Sequence, residues 1–255
     1  MQNNTFSGLF VGQKIVTLTR VDSTNNYAKN ELAKSAPLPE GTVILAEHQF
    51  AGRGQINNAW DSEPGKNLTI SILLSPSFLA PDKQFMLNKA ISIGINDVLM
   101  EIVGEGVKIK WPNDIYVHDQ KLGGILIENI IQGANWKHAI VGIGLNINQT
   151  DFPAHLKNAT SVKQITGHDQ DIRLLLNEIC KNVEARYLQL KALKFDAINK
   201  SYLDLMYRLN EMHIFRTEGT EKQGKIVSVD DNGLLNVDFL GNHRTFGFKE
   251  IEFVI

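Results

Sequence analysis

Four short segments interrupt otherwise apolar, strand-like runs, and they hold the residues whose types and spacing could do chemistry. The first, EHQFAGRGQINNAW (47–60), sets Arg53 between Gly52 and Gly54. Glycines let a backbone come close to a ligand, and a guanidinium can fork onto carboxylate or phosphate oxygens. Phosphate loops usually combine glycine with several positive charges, and this stretch carries only one; a polar hairpin turn explains GRG alone about as well. The second, Ser23-Thr24-Asn25, offers hydroxyl and amide groups at a helix start, where spare N–H groups point the same way; read alone, it is first of all a helix cap. The third is Lys110-Trp111-Pro112-Asn113-Asp114 with Lys121-Leu122-Gly123-Gly124 close behind. Proline cannot donate to a ladder, and Asn113 and Asp114 sit among apolar neighbours where polar groups must find partners. Either an Asx turn marks a bulge here, or a carboxylate and a lysine face one pocket. The fourth, VGIGLNIN (141–148), alternates Gly142, Gly144, Asn146 and Asn148 with aliphatics. Alternation in a strand sends all four to one face, a poor core and a good ligand floor. A dinucleotide fingerprint needs G-x-G-x-x-G opening a helix, and this segment runs into NQTDFP instead.

The elements around these segments must position them. Strand-like runs cover 11–21, 42–49 and 67–75, with a helix after Ser23 or Thr24 that Pro37 and Pro39 close. Leu87, Ile91, Ile95, Val98 and Ile102 recur at helical spacing after Asp82, a cap candidate, and Gly104 and Gly106 end that helix. The runs 107–118, 121–131 and 138–148 are joined by gaps too short for a helical crossover, so they are expected to pair as antiparallel hairpins. A second long helix carries Ile172, Leu175, Leu176, Ile179, Val183 and Leu190 roughly on one face. From about residue 213 short strands with DDNG and GN turns take over. A β unit that small buries little surface alone and is expected to pack against the rest. The chain reads as α+β: a mixed, largely antiparallel sheet with helices over 1–210, and a small C-terminal β-barrel over 211–255.

Composition excludes several classes. Hydrophobic residues make up 43% and charged residues 21% of 255, enough for a real core. A net charge of -2 does not suggest a general nucleic-acid or membrane-surface binder. The single cysteine, Cys180, rules out a disulfide framework or a zinc cluster and is expected to be buried in its helix. There is no basic-then-apolar leader pattern and no apolar run near the ~20 residues that span a bilayer. A cytoplasmic location is expected.

Taken in order, DSTN, AEHQFAGRG…W, KIKWPNDIY, KLGGILIE and VGIGLNIN resemble the biotin protein ligases over residues ~15 to 150. The resemblance implies a catalytic domain of the class II aminoacyl-tRNA synthetase-like type followed by an SH3-like β-barrel. It implies a two-step reaction, in which biotin and ATP form biotinyl-5′-adenylate and a lysine of a biotin carboxyl carrier domain then takes the biotinyl group. Mg²⁺ is expected to supply part of the positive charge that brings two anions together. The residues that match biotin-facing positions are Ser23, Thr24, Asn25, Gln49, Gly52, Arg53, Gly54, Lys121 and Gly124. Those on the nucleotide side are Gln55, Trp60, Lys110, Asn113 and Asn146. Lys121, Arg53 and Asp114 are the candidate catalytic groups. Lys121 would orient the carboxylate and stabilise developing charge. Asp114 would serve as general base or orienting group, and as a metal ligand.

One departure stands out. The family loop commonly reads GRGRRGR-x-W, whereas here Gly54 is followed by Gln55, Ile56, Asn57, Asn58, Ala59 and Trp60. Three arginines are absent. Gln55 is expected to replace charge with hydrogen bonds, leaving Lys110 and Lys121 more of the electrostatic load. Only 22 residues precede Ser23, too few for a helix-turn-helix module, so operator binding is not expected. A homodimer paired through sheet edges is expected by analogy. The alternatives are a lipoate or octanoate ligase, whose usual loop motifs are missing, and a non-catalytic biotin- or nucleotide-binding protein, against which the retained Arg53 and Lys121 argue.

Overall fold

A computed structural model describes residues 8–55 and 58–254. Strand β1 (Ile15–Val21) leads into helix α1 (Thr24–Leu32), then β2 (Val43–Gln49). A two-residue hairpin of β3 (Gly52–Arg53) and β4 (Ala59–Trp60) precedes β5 (Leu68–Leu74). Helix α2 (Gln84–Val103) is followed by four strands in succession, β6 (Val107–Lys110), β7 (Asp114–Val117), β8 (Gln120–Gln132) and β9 (Asn135–Leu145). Helices α3 (Val162–Thr166), α4 (Ile172–Lys191) and α5 (Phe195–Asp204) come next. The chain closes with β10 (Met212–Thr217), β11 (Thr220–Val229), β12 (Leu235–Phe239), β13 (Asn242–Phe246) and β14 (Glu252–Phe253).

The first nine strands, less the hairpin, make a seven-stranded sheet in the order β1-β2-β5-β9-β8-β7-β6. Only β1 and β2 run parallel, so the sheet is mixed and largely antiparallel, as expected. Strand alternation divides its two faces. From β5, Leu68, Ile70, Ile72 and Leu74 enter the main core, as do Ala139, Val141, Ile143 and Leu145 from β9. Helices α2 and α4 cover this side with Met86, Leu87, Ile91, Leu176, Ile179 and Val183. Cys180 is fully buried there, and burial pushes its thiol up to about 12. The opposite face is sparser: Ala28 of α1 packs on Ile44, Leu73 and Ile140, and the rest of that face is left for polar groups.

Several boundaries differ from the expected ones. The run 107–118 is two strands folded back on each other, with Lys110 opposite Asp114 and a cis Trp111–Pro112 bond at the turn. Asp82 does not cap α2; it lies in a one-turn 3₁₀ segment, Pro81–Lys83, that leads into the helix. Helix α1 ends at Leu32, ahead of the two prolines.

The last five strands form a separate antiparallel sheet in the order β13-β12-β11-β10-β14. Phe215, Ile226, Leu235, Val237 and Phe253 fill it, continuous with the main core. The β11–β12 turn is the docking point. Trp111 Nε1 donates to Gly233 O at 2.9 Å, and the buried Lys89 amine donates to Val229 O and Asp230 O at 3.1 and 3.0 Å.

Candidate active site

The polar face of the large sheet is the floor of a cavity of about 810 Å³. Two cross-strand rows build it: Ser71 beside Gly142 beside Leu126, and Thr69 beside Gly144 beside Gly124. The two β9 glycines are needed because large groups lie on them. A Cβ at Gly142 would come 2.6 Å from Asn25 Oδ1, and one at Gly144 would come 2.4 Å from the Trp60 indole. The glycine face is thus a bed for Asn25 and Trp60, which form part of the wall.

At one end the groups are neutral and bonded to one another. The Ser71 hydroxyl donates to Asn25 Oδ1 at 2.6 Å and lies 2.7 Å from Thr24 Oγ1. Gln49 Oε1 accepts from the Thr24 backbone N–H at 2.8 Å. Asn25 Nδ2 donates to Glu128 Oε2 at 2.8 Å. Ser23 holds the N-cap position of α1, yet its hydroxyl makes no capping bond and the residue lines the cavity. Trp60 Nε1 is buried with no partner among the described residues. A buried donor left unpaired costs about 1–3 kcal/mol, so a ligand acceptor here would recover that cost.

The other end is charged. The β6–β7 turn and the start of β8 bring Lys110, Asp114 and Lys121 together, and Lys121 Nζ lies 2.6 Å from Asp114 Oδ1. Lys110 Nζ sits over the rings of Tyr116 and Phe253 at 4.8 and 5.0 Å. Burial pushes the Lys110 amine below the ordinary lysine range, with Asp114 pulling the other way. Asn113 is spent on β8: its Nδ2 donates to Ile125 O, and Ile125 N donates to its backbone carbonyl. Arg53, on the hairpin, stands at the Asn25 end instead: its Nη2 lies 2.6 Å from Glu128 Oε2, further along β8 than the Gly124 that faces Asp114. The small sheet closes the mouth with Arg216, Phe248, Lys249 and Glu252.

Most of the expected residues therefore meet in one cavity: Ser23, Thr24, Asn25, Gln49, Arg53, Gly54, Gln55, Trp60, Lys110, Asn113, Asp114, Lys121 and Gly124 all line it. Gly52 and Asn146 do not. Gly52 sits behind the wall, where a Cβ would strike Trp60 O at 2.3 Å. Strand β9 stops at Leu145, so the alternation that would carry Asn146 and Asn148 to the floor ends before them. Asn146 Nδ2 donates to Thr160 O, and Asn148 exchanges hydrogen bonds with Gln170. Ile56 and Asn57, in the middle of the arginine-poor stretch, lie outside the described residues. Thr69, Ser71, Glu128 and the contributions of the small sheet went unread, because isolated polar residues in strands carry no motif.

A metal tests differently. No group of three or more His, Cys, Asp or Glu among the described residues could hold an ion, and Asp114, the expected ligand, is paired with Lys121. Mg²⁺ that arrives on a triphosphate needs only one or two protein carboxylates.

A model of the biotin/lipoate A/B protein ligase family matches residues 17–146, half of the chain. The chain belongs to this family. Among curated relatives, the bifunctional ligase/repressor BirA of Bacillus subtilis (strain 168) is 32% identical over 228 residues, covering 88% of this chain and 69% of that protein. The biotin–[acetyl-CoA-carboxylase] ligase of Paracoccus denitrificans is 33% identical over 225 residues, 86% of this chain and 91% of its own length. Among solved structures, the biotin protein ligase of Aquifex aeolicus in complex with biotin and ATP superposes with a TM-score of 0.79 at 26% identity, covering 94% of this chain and 98% of that one. The expected fold class and family resemblance are both borne out.

Proposed function

We propose that the protein is an ATP-dependent biotin protein ligase. In this reading a biotin carboxylate oxygen attacks the α-phosphorus of ATP, pyrophosphate leaves, and biotinyl-5′-adenylate stays bound. A lysine amine of a biotin carboxyl carrier domain then attacks the anhydride carbonyl, and AMP leaves with the bridging oxygen. The observation that carries the proposal is one cavity with a neutral hydrogen-bonding end and a cationic end, in a chain related to ligases named for biotin.

The two ends suit the two substrates. A ureido ring needs donors and acceptors together, which Ser23, Thr24, Asn25 and Gln49 provide. Carboxylate and phosphate need positive charge, which Arg53, Lys110 and Lys121 provide. Lys121 stabilises charge as the phosphorus is attacked, and leaving Asp114 frees its amine for that task. Asp114, once released, orients or deprotonates the incoming acceptor lysine. Mg²⁺ entering with the nucleotide would supply further charge neutralisation, with Asp114 the carboxylate nearest to hold it. Gln55 and Trp60 shape the adenylate side, with Trp60 Nε1 as a donor still to be filled.

The proposal treats residues 1–210 as the catalytic domain and 211–255 as a small β-domain that closes the nucleotide mouth. It includes a homodimer paired through a sheet edge and a cytoplasmic location. Among the described residues no helix is long and apolar enough to cross a membrane. The test is incubation with an equimolar mixture of biotin and lipoate, Mg²⁺-ATP and an acceptor carrier domain. Streptavidin-detectable acceptor is the expected product. A biotin-dependent thermal shift without product would instead make the protein a binder, and lipoylation in place of biotinylation would make it a lipoate ligase.

A further inference from the structure

The hairpin that carries Arg53 has no other Lys or Arg between Glu47 and Trp60. That one guanidinium is paired with Glu128, Nη2 to Oε2 at 2.6 Å. The same carboxylate oxygen accepts from Asn25 Nδ2 at 2.8 Å. Asn25 is in turn held by Ser71, which touches Thr24, and Thr24 is bonded to Gln49. A continuous chain of hydrogen bonds thus runs from the neutral end of the cavity to the loop arginine, and Glu128 is the link between them. Asp22 is a second carboxylate whose charge feels Arg53, more weakly; its lowered pKa owes most to the Asn26 amide. The Arg53 and Glu128 side chains are 41% and 27% exposed, so an entering anion can reach the pair.

Resting on the ligase reading, we propose that Glu128 is a positioning residue for Arg53. Its carboxylate is a stand-in anion that holds the guanidinium against Asn25 until the ligand carboxylate or phosphate takes its place. A loop with several arginines could leave one on the sheet and send another to the ligand. With a single arginine the pair must exchange, and anion binding has to overcome the Glu128 contact. Glu128 therefore tempers affinity for an anionic ligand while keeping the loop in place when the site is empty.

The variant is Glu128→Gln, which keeps an acceptor for Asn25 and removes the charge. The ligands are biotin and its neutral methyl ester, titrated calorimetrically. Freed of its partner, Arg53 should favour the anion, so the preference for biotin over the ester should rise about three- to tenfold in the variant. Amide exchange of Gly52 to Gln55 in the ligand-free protein should quicken. Arg53→Met should lower the preference to what Lys121 and Lys110 alone supply, and adding Glu128→Gln to it should not restore the rise. A merely structural role would weaken both ligands alike, and an unchanged or reduced preference, in a protein that binds biotin, overturns the assignment. If the wild-type protein binds neither ligand, the ligase reading fails and the exchange fails with it.

Discussion

The neutral end and the charged end of the cavity are built on opposite principles. Around Asn25, Ser71, Thr24 and Gln49 every group is held by another, on strands and a helix start that the core side of the sheet fixes rigidly. A ligand entering there meets a finished hydrogen-bonding surface. The charged groups, Lys121 with Asp114 at the far end and Arg53 with Glu128 beside Asn25, are paired with one another instead, on a turn, a strand start and a two-residue hairpin. A ligand entering there must break pairs before it can make its own. Ion pairs open to solvent are worth little, about 0–1 kcal/mol, so breaking them is cheap. The first region selects by shape and hydrogen-bonding pattern; the second stores charge in a form that anions can release.

The largest expected effect lies in the charged region. Lys121→Met removes a cation and leaves Asp114 as an uncompensated negative charge beside the phosphates. Adenylate formation, read as pyrophosphate release in a single turnover, should slow about 10²–10³-fold. Asp114→Asn should cost this first step far less, because it frees Lys121. Equal losses in the two variants would mean that the pair acts as a fixed unit and the contrast between the two ends is wrong.

How much of this was legible follows the same division. The core alternation of β5 and β9, the antiparallel succession from β6 to β9 and the family motifs all rest on local patterns, and those hold. The charged residues were found because lysine, arginine and aspartate are rare among apolar strand residues. Ser71 and Glu128 were not found, since a polar residue at an alternating strand position is also what a solvated sheet face looks like. Asn146 was misplaced because alternation reports which face a side chain takes only while the strand lasts, and β9 ends one residue earlier. The turn at Trp111–Pro112 lies inside the single strand-like run expected over 107–118, because a turn without glycine in an apolar run carries little signal. Arg216, Phe248 and Glu252 reach the mouth from far along the chain, beyond what any local pattern encodes.

The second effect tests the neutral region. Gly142→Ala places a methyl group 2.6 Å from Asn25 Oδ1 and 3.1 Å from its Cγ, so the amide must leave Ser71 or the strand must shift. Overpacking of this kind costs about 1–3 kcal/mol. Biotin affinity should fall about tenfold while the ATP KM stays close to that of the wild type. A matching rise in both would show that the two ends are not separable.

A smaller change is expected at the loop. Gln55→Arg adds charge beside the adenylate, and a single exposed charge contributes up to about 1 kcal/mol. The ATP KM should drop and release of biotinyl-adenylate should slow, each by about threefold. If neither moves, Gln55 is not the functional replacement for charge in this loop.

The smallest effect is a pH dependence that separates the role of charge from the role of packing at Lys110. Burial among Tyr116 and Phe253 holds its pKa below the 10.5 of an ordinary lysine. As pH rises through the alkaline range below that value, the folded protein therefore loses this proton before the unfolded chain does. The unfolded state then binds more protons, so this group's contribution to stability rises with pH. Binding of phosphate should move the other way, because the cation it uses is disappearing. The wild-type ATP KM should climb about twofold over that range, and Lys110→Arg, whose guanidinium stays charged, should flatten the climb. An ATP KM that rises equally in both proteins would mean that Lys110 serves the site by packing against Tyr116 and Phe253 and not by its charge, and the cationic end would then rest on Lys121 and the cations at the mouth.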